Sequence, residues 1–257
     1  MELSTRIDDP ELSLMAITTP HGRHIQASDT HDDGGCPPLE NGDRLTRAEF
    51  ERRYDAMPGL KKAELLDGVV YMPSPVRHGA HSKPHSAIVG WLFYYEANTS
   101  GVETGDNGSV RMDDNNEPQP DAYLLIKKEA GGQSAISPDD YIEGAPELAA
   151  EVTASSVSYD LGVKLEVYRR NKVQEYLVWR VLDQRIDWFL LRDDHFEPLE
   201  PGSDGILRSL VFPGLWLDPD ALLRGELTTV FDTLRRGVDS PDHSAFVQDL
   251  NERRPAS

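Results

Sequence analysis

Hydrophobic positions along this chain fall into short runs with two spacings, and their order predicts the elements. Thr46-Arg47-Ala48-Glu49 has the form of a capping box, in which the Thr46 oxygen accepts a backbone N–H and Glu49 reaches back. It predicts a helix running to Met57 and stopping before Pro58-Gly59. Ala63 to Met72 holds two β-prone runs around Asp67-Gly68, the signature of a hairpin. A second helix is predicted from Pro84, a residue suited to a first helical position, to Ala97, with Ile88, Leu92 and Tyr95 at helical spacing. Short strands follow at Ser109–Met112, Ala122–Ile126 and Leu148–Val152. Tyr159–Arg170 reads as an amphipathic helix with Leu161, Leu165 and Tyr168 on one stripe. Val173–Trp179 and Ile186–Leu191 read as strands on either side of an Asp183-Gln184 turn. Helices and strands interleaved in this order describe an α/β fold with a central mixed β-sheet flanked by helices.

The ends break the pattern. Residues 1–43 are polar and turn-rich, with no periodicity around Asp29 to Pro38, and are expected to be a mostly disordered acidic tail. Residues 44–227 are expected to form the folded domain. Residues 228–257 are expected to be a C-terminal helix and tail, with Phe246, Val247 and Leu250 forming a short docking helix in the otherwise tail-like stretch from Gly237 onward. A chain of 257 residues with 38% hydrophobic content accommodates one sizeable domain with loose ends. No apolar run reaches the length of a membrane span, and the N-terminus lacks a basic-then-apolar leader pattern. Cys36 is the only cysteine, which excludes an internal disulfide and a cysteine metal cage, and a reducing, cytoplasmic setting is expected.

Charge changes the functional picture. The net charge of −19 works against broad phosphate binding, since affinity for nucleic acid rests on Lys and Arg. Nine acidic and two basic residues lie in the first 43 positions, yet the remainder is still acidic. A nucleic-acid site must therefore be a local patch, or rely on metal ions to mask carboxylates.

Three segments suggest such a site. Asp121 follows Pro120 at the head of an apolar strand, Glu151 lies inside Leu148-Ala149-Ala150-Glu151-Val152, and Lys164 sits on the helix that follows. A glutamate in so apolar a run is costly to bury as an ion unless a cation or donor compensates it. Phosphodiester hydrolysis uses this set. Carboxylates on neighbouring strands hold Mg²⁺ (or Mn²⁺), which polarises the phosphoryl group and acidifies water. A lysine stabilises the developing charge, and the Val152 carbonyl offers a further oxygen. Each residue also has an ordinary reading: a strand-cap Asp121, an Arg-paired or edge-strand Glu151, a solvated Lys164.

Taken together, Glu64-Leu65-Leu66-Asp67-Gly68, His78-Gly79, Pro120-Asp121 and the run Glu151-Val152, Ser155, Asp160, Lys164, Tyr168, Val173, Glu175-Tyr176, Val178 resemble the Uma-type putative restriction endonuclease family, part of the PD-(D/E)XK nuclease superfamily. The resemblance covers roughly residues 44 to 225 and implies a restriction-endonuclease-like core. It makes Asp121 the aspartate of the PD element and Glu151 the acid of the second element, with Val152 after it. Lysine often stands two residues past that acid in the superfamily. Here the position is Thr153, and the resemblance moves the lysine to Lys164 on the next helix. Glu64 matches the acid of the family's first hairpin and is implied to complete the metal shell. Ala154, Lys172 and Leu177 depart from the family's usual proline, glycine and tryptophan, which bears on substrate fit more than on the fold.

Other motifs are weighed against this. His78, His81 and His85 form an H-x-x-H-x-x-x-H series that invites a zinc reading. With Pro84 starting a helix, His78 and His81 fall in a loop with no cysteine near, and solvated or capping histidines are expected, His78 alone being a candidate phosphate contact. Arg169, Arg170 and Lys172 form the best local phosphate patch, and they also suit a helix C-terminus. Ser155-Ser156 lacks a glycine-flanked elbow, and Trp179, Trp188 and Trp216 read as core or interface aromatics. The leading expectation is a metal-dependent endonuclease acting on DNA as a homodimer, with no membrane partner. The competing one, suggested by the acidic surface, is a catalytically inactive interaction module that keeps the nuclease fold.

Overall fold

The computed structural model describes residues 35–72, 78–154 and 156–254. Residues 1–34 of the disordered tail expected over residues 1–43, and Ser155, lie outside that range. Residues 36–257 cluster as one compact unit.

Helix α1 (Arg47–Asp55) is capped by the Thr46 side chain, which accepts from the Glu49 N–H. The second half of the expected capping box is not made, because the Glu49 carboxylate instead forks to Arg52 and Arg53 one turn on. Strands β1 (Glu64–Leu66) and β2 (Val69–Tyr71) form the expected hairpin. Asp67 and Gly68 both take positive φ, 51° and 71°, as the two central residues of a type I′ turn require. Leu39, inside the segment expected to be a tail, is buried with Phe50, Ala63, Leu65 and Val70 beneath this hairpin.

Helix α2 (Lys83–Ala97) follows, with Pro84 in its first turn. His78–Ser82 is not the expected loop but a π-helical turn leading directly into it. Then come β3 (Val102–Asp106), β4 (Val110–Arg111), β5 (Ala122–Ile126), β6 (Ala135–Ile136), β7 (Ile142–Glu143) and β8 (Leu148–Thr153). The helix expected at Tyr159–Arg170 is divided. A short α3 (Val157–Tyr159) opens into a π-helical turn at Asp160–Lys164 that contains Gly162, and α4 (Leu165–Arg170) completes it. Wide turns of this kind cost hydrogen-bond quality and recur at functional sites. Strands β9 (Glu175–Arg180), β10 (Arg185–Arg192) and β11 (His195–Pro198) form a meander. The small pair β12 (Leu207–Arg208) and β13 (Trp216–Leu217) precedes α5 (Pro219–Arg224), α6 (Leu227–Val238) and α7 (Pro241–Arg253).

The main sheet has six strands in the order β11-β10-β9-β8-β5-β3. The β8–β9 pair is parallel and the other four pairings are antiparallel, so the sheet is mixed. Parallel neighbours need a crossover, and the α3–π–α4 segment supplies it. Alternation along the strands sorts the faces. Ala122, Leu124, Leu148, Ala150, Val152, Leu177 and Trp179 pack in a core with Ile88, Trp91, Leu92 and Tyr95 of α2 and with Leu222, Val230, Leu234 and Leu250 of α5 to α7. Ala149, Tyr176 and Val178 face the other way, against Tyr168, Leu161 and Leu165. Residues Gly237 to Arg253, expected to be tail-like apart from a short docking helix, are mostly the thirteen-residue α7, whose Leu250 is fully buried.

Candidate active site

Sheet register creates the site. Ala122 pairs with Ala150 across the antiparallel β5–β8 ladder, which sets Asp121 opposite Glu151 one step further on. Both lie on the sheet face turned from α2, and both are buried, at 5% and 3% exposure. The π-helical turn packs over that face and lowers Lys164 between Glu151 and Glu64. Its Nζ lies 2.7 Å from Glu151 Oε1, 2.8 Å from Glu64 Oε1 and 4.0 Å from Asp160 Oδ1. Tyr168 Oη, one turn further along, donates to the same Glu151 Oε1 at 2.9 Å. Glu64 also accepts the Gln119 N–H at 2.8 Å, which ties the hairpin to the segment before Asp121.

Asp121 is held from three sides. Its Oδ2 accepts the Val152 N–H at 2.9 Å, its Oδ1 lies 3.1 Å from Lys62 Nζ, and His81 Nε2 stands 3.8 Å from Oδ1. The Val152 carbonyl accepts from His81 Nδ1 at 2.8 Å. A carbonyl can only accept, so Nδ1 is the donor in this contact. His85 Nε2 contacts the Asp121 carbonyl at 2.7 Å and Asp106 Oδ1 at 3.1 Å. His81 and His85, four residues apart, stack with centroids 5.5 Å apart. These two are therefore not the solvated or capping histidines expected, because the π-helical turn carries His81 onto the sheet end. His78 is exposed.

The electrostatics divide the two acids. Burial raises Asp121, but Lys62, Lys164, His81 and the Val152 N–H outweigh it and hold the carboxyl below its ordinary pKa. Burial pushes Glu151 up to about 8, with Lys164 opposing only in part and Asp121, Asp160 and Glu64 adding to the rise. Asp160 is raised for the same reason, burial. Burial opposes the Lys164 charge, yet Glu151, Glu64 and Asp160 more than compensate and raise its pKa well above the ordinary value. Lys62 is likewise raised, Asp121 being the largest contributor against burial.

Asp121, Glu151, Lys164, Glu64 and Val152 thus come together. The candidate phosphate patch does not join them. Arg169 is bound to Glu166 and the Asp194 carbonyl, Arg170 pairs with Asp67, and Lys172 pairs with Asp194. Arg169 and Arg170 lie at the far end of α4, roughly 8 to 9 Å from Lys164 at 1.5 Å per helical residue, and Lys172 lies just beyond the helix. Their place is that of cations at a helix C-terminus. Lys62, His81, Asp160 and Tyr168 were not among the expected site residues. Lys62 carried no signal of its own in the sequence, since it lies ahead of β1 and meets Asp121 only in the folded chain.

A family match accompanies this cluster of buried acids and lysines. The Uma2 family profile, described as "Putative restriction endonuclease", matches residues 47–220, and the chain belongs to that family. Among solved structures, one similar chain is described as a putative nuclease belonging to DUF820 from Anabaena variabilis. It shares 13% identity and a TM-score of 0.45 over 66% of this chain and 97% of its own. A search of curated proteins returned no match. Among the described residues no helix is long and apolar enough to cross a membrane.

Proposed function

We infer that this protein is a divalent-cation-dependent endonuclease that hydrolyses phosphodiester bonds in DNA, with Asp121 and Glu151 as the carboxylates that hold the cation. The observation that carries this reading is the charge imbalance of the buried cluster. Four carboxyl groups, Glu64, Asp121, Glu151 and Asp160, face two ammonium groups, Lys62 and Lys164. Burial first, and the excess of Asp121, Asp160 and Glu64 over Lys164 after it, raise the pKa of Glu151 to about 8, and a bound dication would oppose that rise.

The residues fit such an ion. Lys164 and Tyr168 both use Oε1 of Glu151 and neither uses Oε2. Asp121 Oδ1 and the Val152 carbonyl, both approached by His81, offer hard oxygens, and the His81 ring adds a nitrogen. Among the described residues no three His, Cys, Asp or Glu side chains are gathered closely enough to cage an ion alone. Water and phosphate oxygens would complete the shell, the usual arrangement for Mg²⁺ and close to that of Mn²⁺. When bound, the cation would polarise the phosphoryl group and make water a better nucleophile. The chain's own share is positioning. Lys164 and Tyr168 fix Glu151, the Val152 N–H fixes Asp121, and His81 orients against Val152.

Titration calorimetry of Mn²⁺ into wild type and Asp121→Ala tests the reading. Binding in wild type, lost in the variant, together with nicking of supercoiled plasmid by wild type alone, is the expected result. Absence of binding to either protein would refute it. It would favour the second reading, a non-catalytic module on a nuclease fold, which has one observation behind it: Arg169, Arg170 and Lys172 are all committed to acids or carbonyls of the chain itself.

A further inference from the structure

The two lysines at the carboxylates stand in different circumstances. Lys164 is sealed, with 3% of its side chain exposed, and its ammonium is enclosed by Glu151, Glu64 and Asp160. It also lies 5.6 Å above the Tyr159 ring. Glu151 and Glu64 take two of the three N–H donors of the ammonium, and Asp160 at 4.0 Å adds charge without a hydrogen bond. Such a group can hold carboxylates in place, but its burial closes it to a substrate.

Lys62 lies at the rim. Its side chain is 21% exposed, and it stands on the irregular segment ahead of β1, with no helix turn fixing its stem. Its Nζ donates to Asp121 Oδ1 at 3.1 Å and to Asn107 Oδ1, at the exposed end of the β3–β4 connection, at 3.0 Å. That leaves one N–H unassigned. The oxygen it covers, Asp121 Oδ1, is also one that a bound cation needs. Two cations cannot share one carboxylate oxygen at contact distance without strong repulsion.

We propose that Lys62 is an exchangeable cation. It neutralises Asp121 while the site is empty of metal, is displaced from Oδ1 when a dication binds, and then contacts a non-bridging oxygen of the phosphate being cleaved. Lys164 remains a positioning residue for Glu64 and Glu151. This rests on the reading of Asp121 and Glu151 as cation ligands, and it assigns the substrate-facing charge to a residue outside the family-like set.

The test uses the full-length protein and two probes, Mn²⁺ alone and duplex DNA held with Ca²⁺ to prevent turnover. In Lys62→Met the competing ammonium is gone, so Mn²⁺ should bind about tenfold more tightly than to wild type. DNA binding should lose one phosphate contact, lowering the slope of log affinity against log salt by about 0.9. Lys62→Arg, which keeps the charge, should restore the salt slope. Lys164→Met should leave that slope unchanged while lowering thermal stability. If it does not fold, the Lys62 variants carry the test alone. Unchanged or weaker Mn²⁺ binding in Lys62→Met, or an unchanged salt slope, would overturn the exchange while leaving the metal site standing. Wild-type protein that binds no Mn²⁺ would remove both.

Discussion

At the scale of single residues, burial and pairing decide which ionisable groups are ready for chemistry and which are a burden. Glu117 is the clearest burden. It is fully buried, neither carboxylate oxygen has a hydrogen-bond donor, and its backbone is fixed against Leu65. Burial, then the neighbouring Glu51 carboxyl, push its pKa up to about 8, with Arg111 and Arg47 opposing. A carboxyl raised in the folded state binds more protons folded than unfolded. Its contribution is present at low pH, and stability falls as pH rises from the unfolded value near 4.5 toward about 8. Glu117→Gln should remove that fall and be more stable than wild type at pH 8, by roughly 1–3 kcal/mol, the cost of an unsatisfied buried group. Urea denaturation of both proteins at pH 5 and pH 8 checks it, and equal pH dependence would refute it. Residue chemistry was partly legible in the sequence. A glutamate inside Leu148–Val152 announces itself as an anomaly, and so Glu151 could be singled out. Lys62 could not, because a surface lysine before a hairpin looks like any other until its partner Asp121, 59 residues away, is brought to it.

At the scale of elements, periodicity was informative where one face is apolar and the run is long enough. Strand β5 and helix α2 appear close to where the pattern put them, and the Asp67-Gly68 turn has the geometry its residues imply. The pattern was silent for β3, whose Val102-Glu103-Thr104-Gly105-Asp106 has a single large apolar residue. It also could not reveal the two π-helical turns, since a wide turn changes hydrogen bonding without changing which residues are apolar. Those turns carry His81 and Lys164, so the details least visible to periodicity are the ones that aim the site. Helix α6 shows a further constraint. A Cβ on Gly237 would lie 2.1 Å from the Gly214 carbonyl oxygen and 2.9 Å from the Trp216 ring, so the helix end can approach this backbone only without a side chain. Gly237→Ala should lower stability by about 1–3 kcal/mol through forced displacement, despite alanine's better helix propensity. Thermal melting decides it, and a raised Tm would show that the contact yields.

At the scale of the whole molecule, the C-terminal helices belong to the main core. Phe246 packs edge-on to Phe212, Thr99 Oγ1 meets His243 Nε2 at 2.9 Å, and Leu250 is buried beside Gly101 and Ala130. Composition misled here, because Pro241 to Arg253 is rich in charge and its few apolar residues look sparse until the opposing surface is known. Leu250→Ala should cost about 2–5 kcal/mol, as for other large-to-small changes in a packed core. A loss below about 0.5 kcal/mol in chemical denaturation would mean that α7 is an appendage. The order of helix, hairpin, helix, strands and helix was readable from one sequence. The pairing order of the six strands was not, because nothing local in β8 says that its neighbours are β5 and β9.

The opposition of Asp121 and Glu151 across β5 and β8 has a consequence for folding fidelity. Side chains alternate between faces, so sliding either strand by one residue would send its acid to the α2 side and leave the other behind. A ligand that requires both acids would bind the correctly registered sheet and no slipped form, adding stability in proportion to its concentration only to the native pairing. The same two carboxylates would then act as a proofreader of strand register, rewarding a chain that has aligned its sheet correctly and giving nothing to one that has not.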